Sequence, residues 1–419
     1  MSWIAMSFLL SSAVMLVPFG KLADIWGRKR MLLYGNIFFT FSTLLCAFST
    51  SGYMLVLLRC LQGIGSAMIL SSGMAIIVSA FPQNIRGRII GWNTTAVYVG
   101  LSAAPLLGGL LTQSLGWQSL FLLNATAGML IILGIVFGVK AEWAEARNDR
   151  FDFPGSVIYV LAMSMMMYGF TQLPEKFAIV LTITGTLGLI IFTVWELREK
   201  SPVLNMGLFR DNRIFAFSNL AALINYAATF AITFVLSLYL QNVKGLRPGD
   251  AGLIMISQPV MMAIMASVSG RLSDRIDSRI LSSTGMAIIV AGLISLIFLT
   301  VNTGNVYLIS TLLLLGFGFG MFSSPNTNSV MSSVEKRYLG TASATLGTMR
   351  LTGQMLSMAI AAMAIHVFVG DKIITRTNIP RFMESVHVIF VVFAVLCLMG
   401  VFASLARGKK PQETGPIRT

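Results

Sequence analysis

Charge is what this chain has least of: Asp, Glu, Lys and Arg make up 11% of its 419 residues, and only 16 of these are acids. A water-soluble globule of that length needs a far more polar surface, so that class is excluded. Cysteine is scarcer still. Cys46, Cys60 and Cys397 all fall in apolar stretches without ligand spacing, which excludes a disulfide scaffold and a metal site and leaves them as small core residues. The two histidines, His366 and His387, sit near the ends of apolar stretches and read as interfacial. Paired carboxylates and a nucleophile beside a base are also missing from every stretch and hinge, so neither an enzyme nor a cofactor is expected.

What the chain has is apolar length. Hydrophobic residues account for 56%, the mean hydropathy is +0.80, and uncharged runs of about twenty residues recur almost throughout. The alternating ten-residue segments of a membrane barrel do not occur. An all-α polytopic membrane protein follows, with thirteen spans at 3–19, 31–50, 54–80, 89–112, 118–139, 154–172, 177–197, 214–240, 250–269, 281–301, 305–330, 340–369 and 386–405.

Polar hinges between the spans alternate in basic content. Of the 30 Lys and Arg, 22 fall in one set of hinges plus the C-terminal tail, six in the other set, and Arg59 and Arg350 lie inside spans. By the positive-inside rule the rich set and the tail, 406–419, face the cytoplasm of a cell membrane. Topology and anionic headgroups account for the net charge of +14, so the expected partner is the lipid bilayer and not nucleic acid.

Two hinges nearly repeat each other. Gly20-Lys21-Leu22-Ala23-Asp24-Ile25-Trp26-Gly27-Arg28-Lys29-Arg30 has a partial copy 250 positions on, Gly270-Arg271-Leu272-Ser273-Asp274-Arg275-Ile276-Asp277-Ser278-Arg279. The chain is therefore duplicated, and the motif serves as a ruler. About 57 residues precede the second copy within its half and 19 the first, so the first half is expected to lack one helix. Restoring it gives six helices, a pair at 154–197 and six more. The division is an N-terminal bundle at 1–139, linkers and a two-helix insert at 140–213, and a C-terminal bundle at 214–405.

Motif and layout resemble the major facilitator superfamily, in its fourteen-helix drug:proton antiporter branch. Two further runs are similar to signatures of that branch: Leu58-Arg59-Cys60-Leu61-Gln62-Gly63, and the spaced set Gly91, Gly100, Pro105, Gly108 and Gly109, in which Ala104 stands where the family usually has Gly. The resemblance implies two pseudo-symmetric bundles that rock about a central cavity. It also implies proton-coupled export of amphipathic organic compounds by a monomer, with a same-fold transporter of a metabolite or siderophore, or a truncated chain that does not transport, as the alternatives.

Roles follow by the same resemblance. Gly20 and Gly27 permit a tight turn, Arg28, Lys29 and Arg30 hold it at the surface, and Asp24 latches the gate against a helix beginning near Gly340. Gly270 and Asp274 are the second copy. Related proteins carry an acid before the Arg-Gly of the next hinge, but Phe81-Pro82-Gln83-Asn84-Ile85-Arg86-Gly87 has none. Arg28 is therefore expected to lack a carboxylate partner, and the latch to lean on Asp24 more than on Asp274. Arg59 with Gln62, and by analogy Arg350 with Gln354, are the coupling or cavity candidates, because an Arg inside a span must face a cavity or a partner. Glycines of the spaced set are expected to admit a neighbouring backbone, and Pro105 to bend its helix. No acid lies in the middle of any span; Asp152, Asp250 and Glu384 sit at ends. Asn225, Gln258, Asn326 and Asn328, together with many of the 26 Met residues, are expected to line the cavity.

Overall fold

The computed structural model describes residues 3–370 and 378–408, except for the side chains of Pro105 and Leu106; the tail from Lys409 onward lies outside the described residues. Its elements are helices. In lipid no water can satisfy an exposed amide, and a helix pairs its backbone internally. In the first part of the chain these are α1 (Trp3–Trp26), α2 (Arg28–Ala47), α3 (Gly52–Ala80), α4 (Arg86–Leu115) and α5 (Gln118–Gly138). The insert is α6 (Phe153–Gln172) and α7 (Lys176–Glu196), followed by the single turn α8 (Gly207–Arg210). Then come α9 (Arg213–Thr229) continued by α10 (Ile232–Leu238), and α11 (Pro248–Met255) continued by α12 (Ser257–Leu272). The last four are α13 (Ser278–Ile297), α14 (Asn305–Ser332), α15 (Leu339–Val369) and α16 (Ile379–Ala406).

Starts of helices are written in the hinges. Ser51 accepts from the Met54 amide, Asp152 from Gly155 and Asn212 from Phe215, each side chain satisfying an amide that has no partner inside its own helix. Twelve helices, with α9–α10 and α11–α12 each counted once, are long and apolar enough to cross a membrane. A thirteenth, α4, is bent by 44° between Ala104 and Leu107, which makes up the thirteen crossings read from the sequence.

Helices α1, α2 and α3 pack together, with α5 against α2. Around a core of buried aliphatic and Phe side chains, α9, α12, α13, α14, α15 and α16 form a second group. Two sets of contacts join the groups: α1 and α3 against α15, and α4 against α12 and α14. The insert pairs α6 with α7 and lays α6 against both α1 and α15. Among the described residues, the hinges rich in Lys and Arg contact one another in two groups, 20–30 with 140–150 and 336–341, and 86–88 with 270–274; this side, called here the basic face, holds the gate candidates.

Candidate gate and central cavity

Asp24 closes the last turn of α1 and is completely buried. Its carboxylate meets the free amides that open α15: Gly340 donates to Oδ1 at 2.8 Å, and Thr341 donates its N–H to Oδ2 at 2.9 Å and its hydroxyl at 3.1 Å. Four amides at a helix start lack partners in their own helix and carry the positive end of its dipole, so an anion is favoured there. The approach is close because both chains are small at the contact. A Cβ on Gly20 would lie 2.4 Å from the Ala344 Cβ and 2.9 Å from the Gly340 carbonyl. Gly20 therefore does not make a turn, as the sequence suggests, but lets α1 touch α15; Gly27 makes the turn, at φ 118°.

Arg28 is a second correction. Far from holding the hinge at the surface, it is fully buried and gives Nε and Nη2 to Asp24 Oδ1 at 3.0 and 2.7 Å. Nη1 reaches Ser79 on α3 at 2.8 Å, and Nη2 also donates to the Lys336 carbonyl in the opposite half. Nor does it lack a further carboxylate: Glu145 lies 3.1 Å from Nη1. The acid that hinge 81–87 does not contain is supplied by the linker between α5 and α6.

That linker runs along the hinge as a brace. Glu142 accepts from the amides of Lys29 and Arg30 at 2.9 and 3.1 Å, capping α2. It fills the space where a side chain on Gly27 would go. Backbone bonds join Arg28 to Trp143 and Ala146 to Asp24. Asp149 bridges the two halves, 2.7 Å from Lys21 and 3.3 Å from Arg337. Partial desolvation works against ionisation, but Lys21 and Arg337 outweigh it and hold the Asp149 carboxyl below its ordinary range.

The second copy of the hinge mirrors the first. Asp274, between α12 and α13, accepts from the amides of Gly87 and Arg88 at 2.7 and 2.9 Å, at the start of α4. Next to it Gly270 and Gly91 bring α12 and α4 into backbone contact: a Cβ on Gly270 would lie 2.6 Å from the Gly91 Cα. Both copies thus latch a helix start in the opposite half, Asp24 drawing more donors than Asp274, and no ion pair reaches Asp274 among the described residues.

The rest of the spaced glycine set behaves differently from the sequence reading. Among the described residues nothing lies within 4 Å of a Cβ placed on Gly100, Gly108 or Gly109, so these do not admit a neighbour. Only Gly91 does. The bend falls where Pro105 stands, and its side chain is not among those described.

Arg59, half-buried in α3, donates Nε to the Ile4 carbonyl at 3.0 Å and Nη1 to Gln62 at 2.5 Å, with its guanidinium 4.6 Å from the centre of the Phe8 ring. Gln62 passes the chain on to Thr43 at 2.6 Å. Arg350 in α15 finds Thr327 at 2.5 Å rather than Gln354, and its buried Nε has no partner. The intended analogy with Arg59 and Gln62 therefore fails in its second member.

Around Arg350 the two groups of helices meet in an aromatic and polar cluster that sequence reasoning missed. The Tyr226 ring lies 5.7 Å from the Arg350 guanidinium and edge-on to Phe319 at 5.3 Å; Tyr98 of α4 meets Phe319 from the other side at 6.1 Å. Asn225 is buried with both amide atoms unpartnered, and the Asn326 carbonyl oxygen is likewise free. Asn328 turns instead to Ser273. Buried polar atoms without partners call for an explanation, such as an ordered water or a bound solute. No sequence signal singles out Tyr98, Tyr226 and Phe319, because aromatics are as common on lipid-facing surfaces.

The two groups of helices thus exchange carboxylate contacts at one face and enclose an aromatic and polar cluster between them. The model of the Major Facilitator Superfamily matches residues 1–358. This chain belongs to that superfamily. It is a multi-pass membrane transporter of the superfamily's fold. It is similar to the riboflavin transporter RibZ of Clostridioides difficile (strain 630), 28% identical over 83% of this chain and 76% of that one. It is also similar to the multidrug resistance protein Stp of Mycobacterium tuberculosis (strain CDC 1551 / Oshkosh), 29% identical over 86% of this chain and 68% of that one. Among solved structures the human organic anion transporter MFSD10 (TETRAN) superposes with a TM-score of 0.71, covering 96% of this chain and 83% of that one at 16% identity.

Proposed function

We propose that this transporter exports amphipathic organic compounds from the cytoplasm across the cell membrane in exchange for protons, with the basic face and the C-terminal tail cytoplasmic. The observation that carries the reading is the pair of latches, Asp24 on the start of α15 and Asp274 on the start of α4. Each consists of a few hydrogen bonds between rigid helices, so both can break together without unfolding anything, which is what alternating access requires. The likeness to Stp, a multidrug resistance protein, supports the substrate class, and the concentration of 22 of the 30 Lys and Arg in one set of hinges plus the tail supports the orientation. Arg59 with Gln62, and Arg350 in the central cluster, are proposed to feel the proton and the substrate. In everted vesicles energised by respiration, addition of a lipophilic dye is expected to release protons from the acidified lumen. A lumen pH that stays constant while the dye accumulates would remove proton coupling.

A second reading is favoured by one feature of the centre: among the described residues of the cluster there is a guanidinium and no carboxylate. A flat aromatic or anionic solute suits Arg350 between Tyr226 and Thr327 better than an organic cation does, and RibZ carries riboflavin in its name. Counterflow in proteoliposomes with riboflavin and a cationic dye side by side separates the two, because only the true substrate exchanges.

A further inference from the structure

The base of the insert hairpin holds two carboxyl groups that neither latch uses. Asp152 caps α6 and Glu196 ends α7; they are 7% and 3% exposed. Asp152 Oδ1 accepts from the Gly155 amide at 3.0 Å and Oδ2 from the Trp195 indole at 2.9 Å. Glu196 Oε2 accepts from the Leu204 amide at 2.8 Å, but its Oε1 is buried with no donor. That unpartnered oxygen is aimed at Asp152. A Cβ on Gly155 would lie 2.1 Å from Asp152 Oδ2 and 2.6 Å from Glu196 Oε1, so the two oxygens face each other across the gap this glycine leaves.

Among the described residues no cationic side chain neutralises the arrangement. Glu199, one turn on, is the other charged group facing Glu196. Among the described residues no Lys, Arg or His pairs with Asp152, Glu196 or Glu199. On the helices packed against the hairpin, Lys21 of α1 is engaged by Asp149 and Arg350 of α15 by Thr327. Two buried acceptors face to face repel when both are ionised, whereas one proton between them turns the repulsion into an O–H···O⁻ hydrogen bond.

We propose that Asp152 and Glu196 form a proton-binding site that holds one proton between them and fastens both linkers to the insert hairpin. Asp152 ends the 140–152 linker, whose Glu142, Glu145 and Asp149 brace the gate. Glu196 begins the segment that ties Asn205 to Tyr338 and Asn212 to the Ser333 carbonyl in the other half. Loss of the proton leaves two anions in a buried site, and the Trp195 and Leu204 bonds that hold the linkers give way. Closure of the basic face thereby responds to pH through groups outside the central cavity, whatever the transported solute is.

Infrared difference spectroscopy on the full chain in lipid nanodiscs tests this without measuring transport. A protonated carboxyl band is expected near neutral pH. It should titrate away in alkali, be missing from Glu196→Gln and from Asp152→Asn, and remain in Glu199→Gln. No band in the unmodified protein, or a band unchanged in both variants, would overturn the site. Hydrogen exchange across 200–206, corrected for the intrinsic rate, should rise several-fold in alkali in the unmodified chain and stay level in Glu196→Gln. Exchange in the unmodified chain that does not vary with pH would overturn the fastening role, even if a variant fails to fold.

Discussion

The two hinges are copies in sequence and unequal as devices. Both present an aspartate to the start of a helix in the opposite half. Asp24 gathers three donors from α15 and two more from Arg28, all of them buried. Asp274 has two backbone donors and is partly open to solvent. The first copy keeps its arginine at the first position of α2, while the second has Ser278 at the first position of α13 and places Arg279 one residue later. Among the described residues the brace of linker carboxylates also exists only on the first side. Duplication fixes the geometry of closure, then, and local charge sets how strongly each side is held. A latch made of a buried carboxylate, a buried guanidinium and a helix start has a deep energy minimum, but also a large desolvation cost when it is broken one partner at a time.

The comparison is tested hardest by removing one charge from each side. Asp24→Asn leaves Arg28 buried with only the half-exposed Glu145, and breaking such a pair costs about 3 to 5 kcal/mol. A shift of roughly 10²- to 10⁴-fold from the closed to the open basic face is expected. Distances between spin labels placed across that face will report it, together with slowed transport and unchanged membrane insertion. Asp274→Asn removes two charge-assisted backbone bonds at a more exposed site, for about 1 to 2 kcal/mol and a shift near tenfold. Equal shifts in the two variants would mean that the surrounding charges contribute nothing and that only the helix starts matter.

Much of this was legible in the chain. Thirteen apolar runs, the alternation of basic hinges and the repeated motif are local patterns, and each survives as a helix, a face and a latch. What failed to show was pairing across distance. Glu142, Glu145 and Asp149 look like an ordinary charged linker, and only folding brings them over 100 residues back onto Arg28, Lys29 and Lys21. Hinge 81–87 holds the position where related chains carry an acid, but the extra carboxylate that reaches Arg28 comes from the linker between α5 and α6. Glu196 hid in the run Trp195-Glu196-Leu197-Arg198-Glu199-Lys200, which reads as a solvated helix end. Gly100, Gly108 and Gly109 were misread because spacing tells which face of a helix is small, not whether a neighbour comes to it.

Glu145→Gln sharpens the comparison by taking away the brace and leaving the latch. The Glu145 carboxylate is 32% exposed, and Arg28 keeps Asp24 and Ser79 when it is neutralised. Pairs of that exposure contribute about 0.5 to 1 kcal/mol, so a two- to fivefold shift toward opening is expected in the same label distances. A shift as large as that of Asp24→Asn would make Glu145 the main partner of Arg28 and move the centre of the latch into the linker.

The smallest effect is that of Asp149, and pH reads it. Its carboxyl titrates below the ordinary value of 3.8 in the folded chain, because Lys21 and Arg337 outweigh desolvation. A depressed carboxyl stabilises the folded state fully above the unfolded value, and that contribution is lost as pH falls through the folded one. Protection of amides 141–149 against hydrogen exchange should therefore hold from neutral pH down to about 4 and then decline, once the intrinsic rate is removed. Asp149→Asn should show the lower protection at every pH, with the 44%-exposed Arg337 contributing no more than about 1 kcal/mol of the loss and the buried Lys21 the remainder. The second hinge has no such bridge, so exchange at Gly87 and Arg88 should not differ between Asp149→Asn and the unmodified chain; a difference there would show the two latches to be coupled through the linker.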